Sequence, residues 1–178
     1  LTARKAETGE EKVTGELEQS ILNTTNEVAA ALLSRGWSLA TAESCTGGWI
    51  AKCCTDPPGS SRWFDRAYVS YSYPAKEDQL GVIRADLETH GAVSEEIAAQ
   101  MALFARQRSG VDFTLAATGI AGPDGGMPNK PVGLVCFAWS MRGGVLETES
   151  VVFEGDRDSI RRQTVYHALK GILRTLER

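Results

Sequence analysis

A chain of 178 residues with 42% hydrophobic content fits one domain and can bury a full core without covalent staples. The formal net charge of −4 argues against a nucleic-acid groove or an anionic membrane surface, since both call for a basic excess. No stretch approaches the roughly 20 consecutive apolar residues that cross a bilayer, and no secretory leader pattern is present, so a cytoplasmic location is expected.

Residues 1–15 are polar and lack an apolar period, and they read as a flexible tail ahead of a single domain over 16–178. From Glu16 onward Leu17, Ile21, Val28 and Leu32 recur at helical spacing, and Gly36 closes that helix. Ser38 to Glu43 is consistent with a buried strand, and Cys45 to about Thr55 with a helix that Pro57-Pro58-Gly59 ends. Phe64 to Ser72 reads as a second strand, and Pro74 starts a short helix through Lys76 and Leu80. Ser94 opens a helix with Ile97, Met101 and Phe104 on one face, and Phe113 to Thr118 is a further strand. Val132 to Ser140 and Val145 to Phe153 form an antiparallel pair about Arg142-Gly143-Gly144, and Asp156 caps a final helix. This order predicts an α/β fold, a mixed sheet covered by helices on both faces.

Cys45, Cys53, Cys54 and Cys136 form no C-x-x-C pair, and only two histidines are available to complete a zinc site. The expectation is free thiols in a reducing compartment and no metal.

Three segments could hold chemistry. In Ala42-Glu43-Ser44-Cys45-Thr46-Gly47-Gly48 a strand ends and a helix begins, which puts unpaired N–H groups beside a serine. Ser44 could attack a carbonyl there while those N–H groups hold the oxyanion, or it could merely cap the helix. Cys45 is a competing nucleophile on chemistry alone.

A nucleophile needs a base, and His90, His167 and Lys76 are the candidates. His90 sits in a turn before Gly91 and His167 lies mid-helix, both more natural as structural residues. Lys76 leaves the sheet edge just after Tyr71-Ser72. At an ordinary pKa of about 10.4 only about one lysine in a thousand is neutral near pH 7.4. A shift to about 8 raises that share to roughly a fifth, for about 3 kcal/mol of differential solvation.

The third segment is Thr118-Gly119-Ile120-Ala121-Gly122-Pro123, where a strand empties into a glycine-rich loop that is neither a Walker loop nor G-x-G-x-x-G. Gly155-Asp156-Arg157 at the last helix start could offer a guanidinium to a phosphate, or only a cap and a solvated arginine.

Taken together, these segments resemble the nicotinamide-nucleotide amidase family, found also as the C-terminal domain of the competence/damage-inducible protein CinA. Thr41 to Gly48, Pro58-Gly59-Ser60-Ser61, Tyr71-Ser72 with Lys76, His90 to Glu95, Thr118 to Pro123, Lys130 to Gly133 and Gly155-Asp156-Arg157 match in the family's order. The resemblance implies a three-layer α/β/α sandwich with a mixed, mainly parallel sheet. It implies hydrolysis of the carboxamide of nicotinamide mononucleotide by a serine–lysine dyad, Ser44 and Lys76, without metal or cofactor. Tyr71 matches a position beside that pair. Thr46, Gly47, Gly48, Thr118 and Gly119 would wall the pocket, and Arg157 would meet the phosphate. A small nucleotide is then the partner, with no nucleic acid or membrane, and association with further copies of the chain is expected. The chain reads as a standalone form, without the larger N-terminal domain of two-domain relatives.

One position departs from the pattern. Where the family usually has asparagine, two residues after the tyrosine, this chain has Tyr73. That leaves open a catalytically weakened protein that binds a nucleotide in a regulatory role.

Overall fold

The computed structural model describes residues 9–178, with side chains from residue 14 onward. In chain order the elements are α1 (Gly9–Arg35), β1 (Leu39–Glu43), α2 (Trp49–Thr55), β2 (Phe64–Val69), α3 (Tyr73–Leu80) and α4 (Arg84–His90). There follow α5 (Glu95–Ser109), β3 (Phe113–Gly119), β4 (Leu134–Met141), β5 (Val145–Val152) and α6 (Arg157–Leu176).

The five strands lie in the order β2-β1-β3-β4-β5. β1 pairs parallel with both β2 and β3, while β4 runs antiparallel to β3 and β5 antiparallel to β4. Four strands therefore point one way and β4 alone opposes them, a mixed and mainly parallel sheet. β1 is buried along its whole length, as parallel strands with helices on both faces must be.

Two apolar clusters flank the sheet. On one face Val28 and Leu32 of α1, Ile50 of α2 and Leu169 and Ile172 of α6 pack on Leu39, Leu115 and Phe137. On the other, Leu80, Leu87, Ile97 and Met101 from α3, α4 and α5 cover Ala42, Ala116 and Ala138. The result is the three-layer sandwich. Helix α6 lies close on β4. A Cβ on Gly171 would meet the Trp139 ring at 2.1 Å, so glycine's absent side chain is what lets the indole lie under the helix. The indole N–H donates to the Ala168 carbonyl at 3.0 Å.

Three local expectations change. Helix α1 already begins at Gly9, inside the segment read as a tail; residues 1–8 lie outside the described part. Its first turns hold Glu10, Glu11 and Lys12, strong helix formers that leave no apolar signature. Helix α2 starts at Trp49 instead of Cys45, because Gly47 and Gly48 adopt φ values of 60° and 93° that interrupt a right-handed helix. His90 ends the short helix α4 instead of lying in a free turn.

Candidate active site

The parallel strands β1, β2 and β3 empty toward the same edge of the sheet. Ser44 follows β1, Ser70 and Tyr71 follow β2, and Thr118 and Gly119 end β3. Carboxyl edges of parallel strands are where α/β proteins build sites, since the loops there are free of the sheet's own hydrogen bonds.

Ser44 is pinned at this edge. Its N–H donates to the Ala117 carbonyl of β3 at 3.0 Å, and the Ser70 N–H donates to the Glu43 carbonyl at 2.9 Å, so both neighbouring strands hold the turn. Helix α3 then brings Lys76 across. Ser72 caps that helix by accepting from the Ala75 N–H, and Pro74 sits in its first turn. One turn on, Lys76 is fully buried and its Nζ donates to Ser44 Oγ at 3.0 Å and to the Ser70 carbonyl at 2.7 Å. Burial pushes the lysine pKa down to about 8, because the charged form loses its hydration and gains only neutral oxygens. A lysine so placed is partly neutral at physiological pH and can take a proton from the hydroxyl beside it.

The competing residues are disposed differently. Burial pushes the Cys45 thiol up to about 12, with the Glu43 carboxylate adding to the shift, so it stays a protonated, poor nucleophile. His90 lies at the surface with its Nδ1 3.8 Å from Glu96. His167 packs on the Phe137 ring at 4.8 Å and places its Nε2 3.1 Å from a Glu149 carboxylate oxygen. Among the described residues neither histidine is hydrogen-bonded to Ser44 or Lys76.

The remaining expected residues divide. Tyr71 is exposed, and among the described residues its hydroxyl meets neither Ser44 nor Lys76; it accepts from Arg157 Nη2 at 3.2 Å. Arg157 also donates to the Gly122 carbonyl at 2.8 Å, which draws the start of α6 to the same edge. A cavity of about 510 Å³ opens there, lined by Ala121, Pro123, Val132, Asp156, Arg157 and Arg161. Gly47 is exposed and Gly48 half-buried. Thr46 is fully buried and donates its hydroxyl to Glu43 at 2.7 Å. Thr118 donates to the Ala92 carbonyl at 2.8 Å, and a Cβ on Gly119 would meet Val135 at 2.7 Å and the Leu134 carbonyl at 2.8 Å. Thr46, Thr118 and Gly119 thus hold the edge together through contacts of their own.

Two residues that sequence reasoning passed over belong to the site's framework. Arg161 donates to the Cys45 carbonyl at 3.1 Å and to the Thr46 carbonyl at 2.9 Å, and its guanidinium lies over the Trp49 ring. Its spacing of four from Arg157, one turn along α6, was the available signal. Glu43, next to Ser44 in sequence, takes five hydrogen bonds in the core.

The class defined by this fold and site is a three-layer α/β domain with a serine and a buried lysine at the carboxyl edge of its parallel strands. Residues 22–176 match the family model of the CinA C-terminal domain, and the chain belongs to that family. It is 45% identical over 155 residues to the nicotinamide-nucleotide amidohydrolase PncC of Escherichia coli (strain K12), covering 87% of this chain and 94% of that protein. It is 50% identical over 157 residues to a putative competence-damage inducible protein of Symbiobacterium thermophilum, covering 84% of this chain but 37% of that one. Among solved structures, the competence/damage inducible protein CihA from Agrobacterium tumefaciens superposes with a TM-score of 0.86 at 42% identity, covering 89% of this chain and 96% of that one. The competence or damage-inducible protein from Enterobacter asburiae gives 0.84 at 35% identity, covering 88% and 98%.

Proposed function

We propose that this chain is an amidohydrolase that converts nicotinamide mononucleotide and water to nicotinic acid mononucleotide and ammonia through an acyl-enzyme on Ser44. The observation that supports it most is the 3.0 Å contact between Ser44 Oγ and a buried Lys76 whose pKa lies near 8. Similarity over 87% of this chain to a nicotinamide-nucleotide amidohydrolase supports this chemistry.

Neutral Lys76 takes the Ser44 proton as Oγ attacks the carboxamide carbon. The oxyanion needs N–H donors. Gly47 gives its N–H to the Ser44 carbonyl and Gly48 to Glu43, whereas those of Cys45 and Thr46 meet no acceptor oxygen among the described residues. Those two are the donors this reading assigns. The C–N bond then breaks, and protonated Lys76 returns its proton to the departing nitrogen, releasing ammonia and leaving an ester on Ser44. Water adds to that ester with Lys76 again as base, giving the carboxylate and free serine. Arg157 supplies a cation for the nucleotide phosphate.

Incubation with nicotinamide mononucleotide, following ammonia and nicotinic acid mononucleotide together, tests the reading. Turnover should occur in the wild type and vanish in Ser44→Ala and Lys76→Ala proteins that remain folded. Tight nucleotide binding without ammonia release would replace it with the regulatory reading that Tyr73 raised.

A further inference from the structure

Glu43 is fully buried, directly precedes the nucleophile, and takes no part in the proton transfers above. Its Oε2 accepts from Thr46 Oγ1 at 2.7 Å, from the Gly48 N–H at 3.0 Å and from the Ile50 N–H at 3.1 Å. Its Oε1 accepts from Thr41 Oγ1 at 3.1 Å and from the Ala51 N–H at 2.8 Å. Five donors saturate the two oxygens, which is the condition for keeping a carboxylate in a core without a bonded cation.

The donors come from three pieces of backbone. Thr41 lies behind in β1, Thr46 and Gly48 lie in the turn, and Ile50 and Ala51 open α2. Ser44 sits inside the ring that these bonds close. Gly48, the residue before α2, has no side chain with which to cap the helix, so Glu43 supplies the anion that its first N–H groups would otherwise lack. Lys76 is served separately, by Ser44 Oγ and the Ser70 carbonyl.

We propose that Glu43 is a positioning residue for the nucleophile: its carboxylate ties strand, turn and helix into one unit that holds Ser44 Oγ against Lys76 Nζ. The proposal rests on Ser44 being the nucleophile. The role demands a carboxylate. Glutamine would turn a donating NH2 group toward N–H donors, and aspartate is one methylene too short to serve Thr41 and the α2 N–H groups together.

The test reads Ser44 directly. The rate at which a fluorophosphonate modifies Ser44, located by mass spectrometry, is measured against pH in wild type, Glu43→Gln and Thr46→Val, with thermal melting as a check on folding. For Glu43→Gln the rate should fall about 10- to 100-fold, the cost of a displaced nucleophile, with the inflection near pH 8 unmoved. Thr46→Val, which removes one of the five bonds and keeps the shape, should lower it about 3- to 10-fold. With nicotinamide mononucleotide as substrate, kcat should fall in both variants and KM stay. If Glu43→Gln does not fold, Thr46→Val decides alone. Rates within twofold of wild type would overturn the proposal. So would an inflection displaced by a unit, which would make Glu43 a charge partner of Lys76 instead. A wild type that is modified at Ser44 yet releases no ammonia would sink the amidase reading and leave this one standing; a wild type not modified at Ser44 overturns both.

Discussion

Lys76 Nζ stands 3.0 Å from Ser44 Oγ across 32 residues of sequence, with the lysine itself fully buried. Its second acceptor is the Ser70 carbonyl at 2.7 Å, so both partners are neutral oxygens. Dehydration is therefore not offset by an opposite charge, and the pKa settles near 8.

Activity should follow the neutral lysine. Below pH 8 the log of kcat/KM should rise with slope one as the pH rises, level off above it, and show no inflection near the histidine range of about 6.5. A pH–rate series on the wild type checks this. An inflection near 6.5 would return the base to a histidine, although His90 and His167 face Glu96 and Glu149.

The same burial makes Lys76 a burden on the fold. Its folded pKa, near 8, lies below the usual 10.5, so the unfolded chain binds more protons between those values. The penalty is full below about pH 8 and fades as the pH rises toward 10.5. Lys76→Met, which keeps the stem and drops the charge, should stabilise the protein at pH 7 by about 1–3 kcal/mol while abolishing turnover. The gain should shrink in melts at pH 10. Denaturant unfolding at the two pH values measures it, and a variant less stable than wild type at pH 7 would contradict it.

Much of this arrangement was legible in the chain itself, for reasons that differ by residue. Apolar spacing marked α1, α5 and α6 because their buried stripes are long, as Val28 and Leu32 or Leu169 and Ile172 show. Ser72, Ser94 and Asp156 each accept from a backbone N–H three residues on, the side-chain chemistry that announces a helix start. The start of α2 was not legible, because its anion comes from Glu43 five to eight residues earlier and its turn is made by two glycines. Nor was α4, a seven-residue helix whose first residue follows Ile83, which offers no side-chain cap. The residues alone offered Lys76 only as one of three candidate bases, and the family resemblance is what singled it out as the partner of Ser44. Local pattern holds no record of which side chains meet across 32 residues, or of an arginine such as Arg161 reaching back 115 residues to Thr46.

Arg157 gives a sharper test of substrate class than any loss of total activity. Its guanidinium lines the cavity and bonds Tyr71 and Gly122, and it shares no hydrogen bond with Ser44 or Lys76. Arg157→Ala should raise KM for nicotinamide mononucleotide about 10- to 100-fold, the worth of a charge-assisted contact to phosphate, and change kcat little. With nicotinamide riboside, which lacks the phosphate, the variant and wild type should give similar kcat/KM. Equal losses on both substrates would show that Arg157 acts on the fold of the α6 start and not on the phosphate.

Tyr73, read in the sequence as a departure from the resemblance, has local contacts of its own. Its hydroxyl accepts from the Ala92 N–H at 3.2 Å while Thr118 donates to the Ala92 carbonyl at 2.8 Å, so both sides of one peptide segment are held by side chains. The Arg84 guanidinium lies 5.7 Å from the centre of its ring. Neither contact shares an atom with the bonds of Lys76 to Ser44 and Ser70. Tyr73→Phe should therefore lower stability by about 1 kcal/mol, the usual worth of such a bond, and leave kcat within about threefold. Tyr73→Asn, which introduces the residue that the sequence resemblance led one to expect, loses the ring as well and should destabilise further, by about 1–2 kcal/mol in all. Denaturant melts paired with ammonia-release kinetics on both variants measure this. A rise in kcat of tenfold or more for Tyr73→Asn would mean instead that tyrosine restrains the dyad, and that the chain's activity is set at this one position.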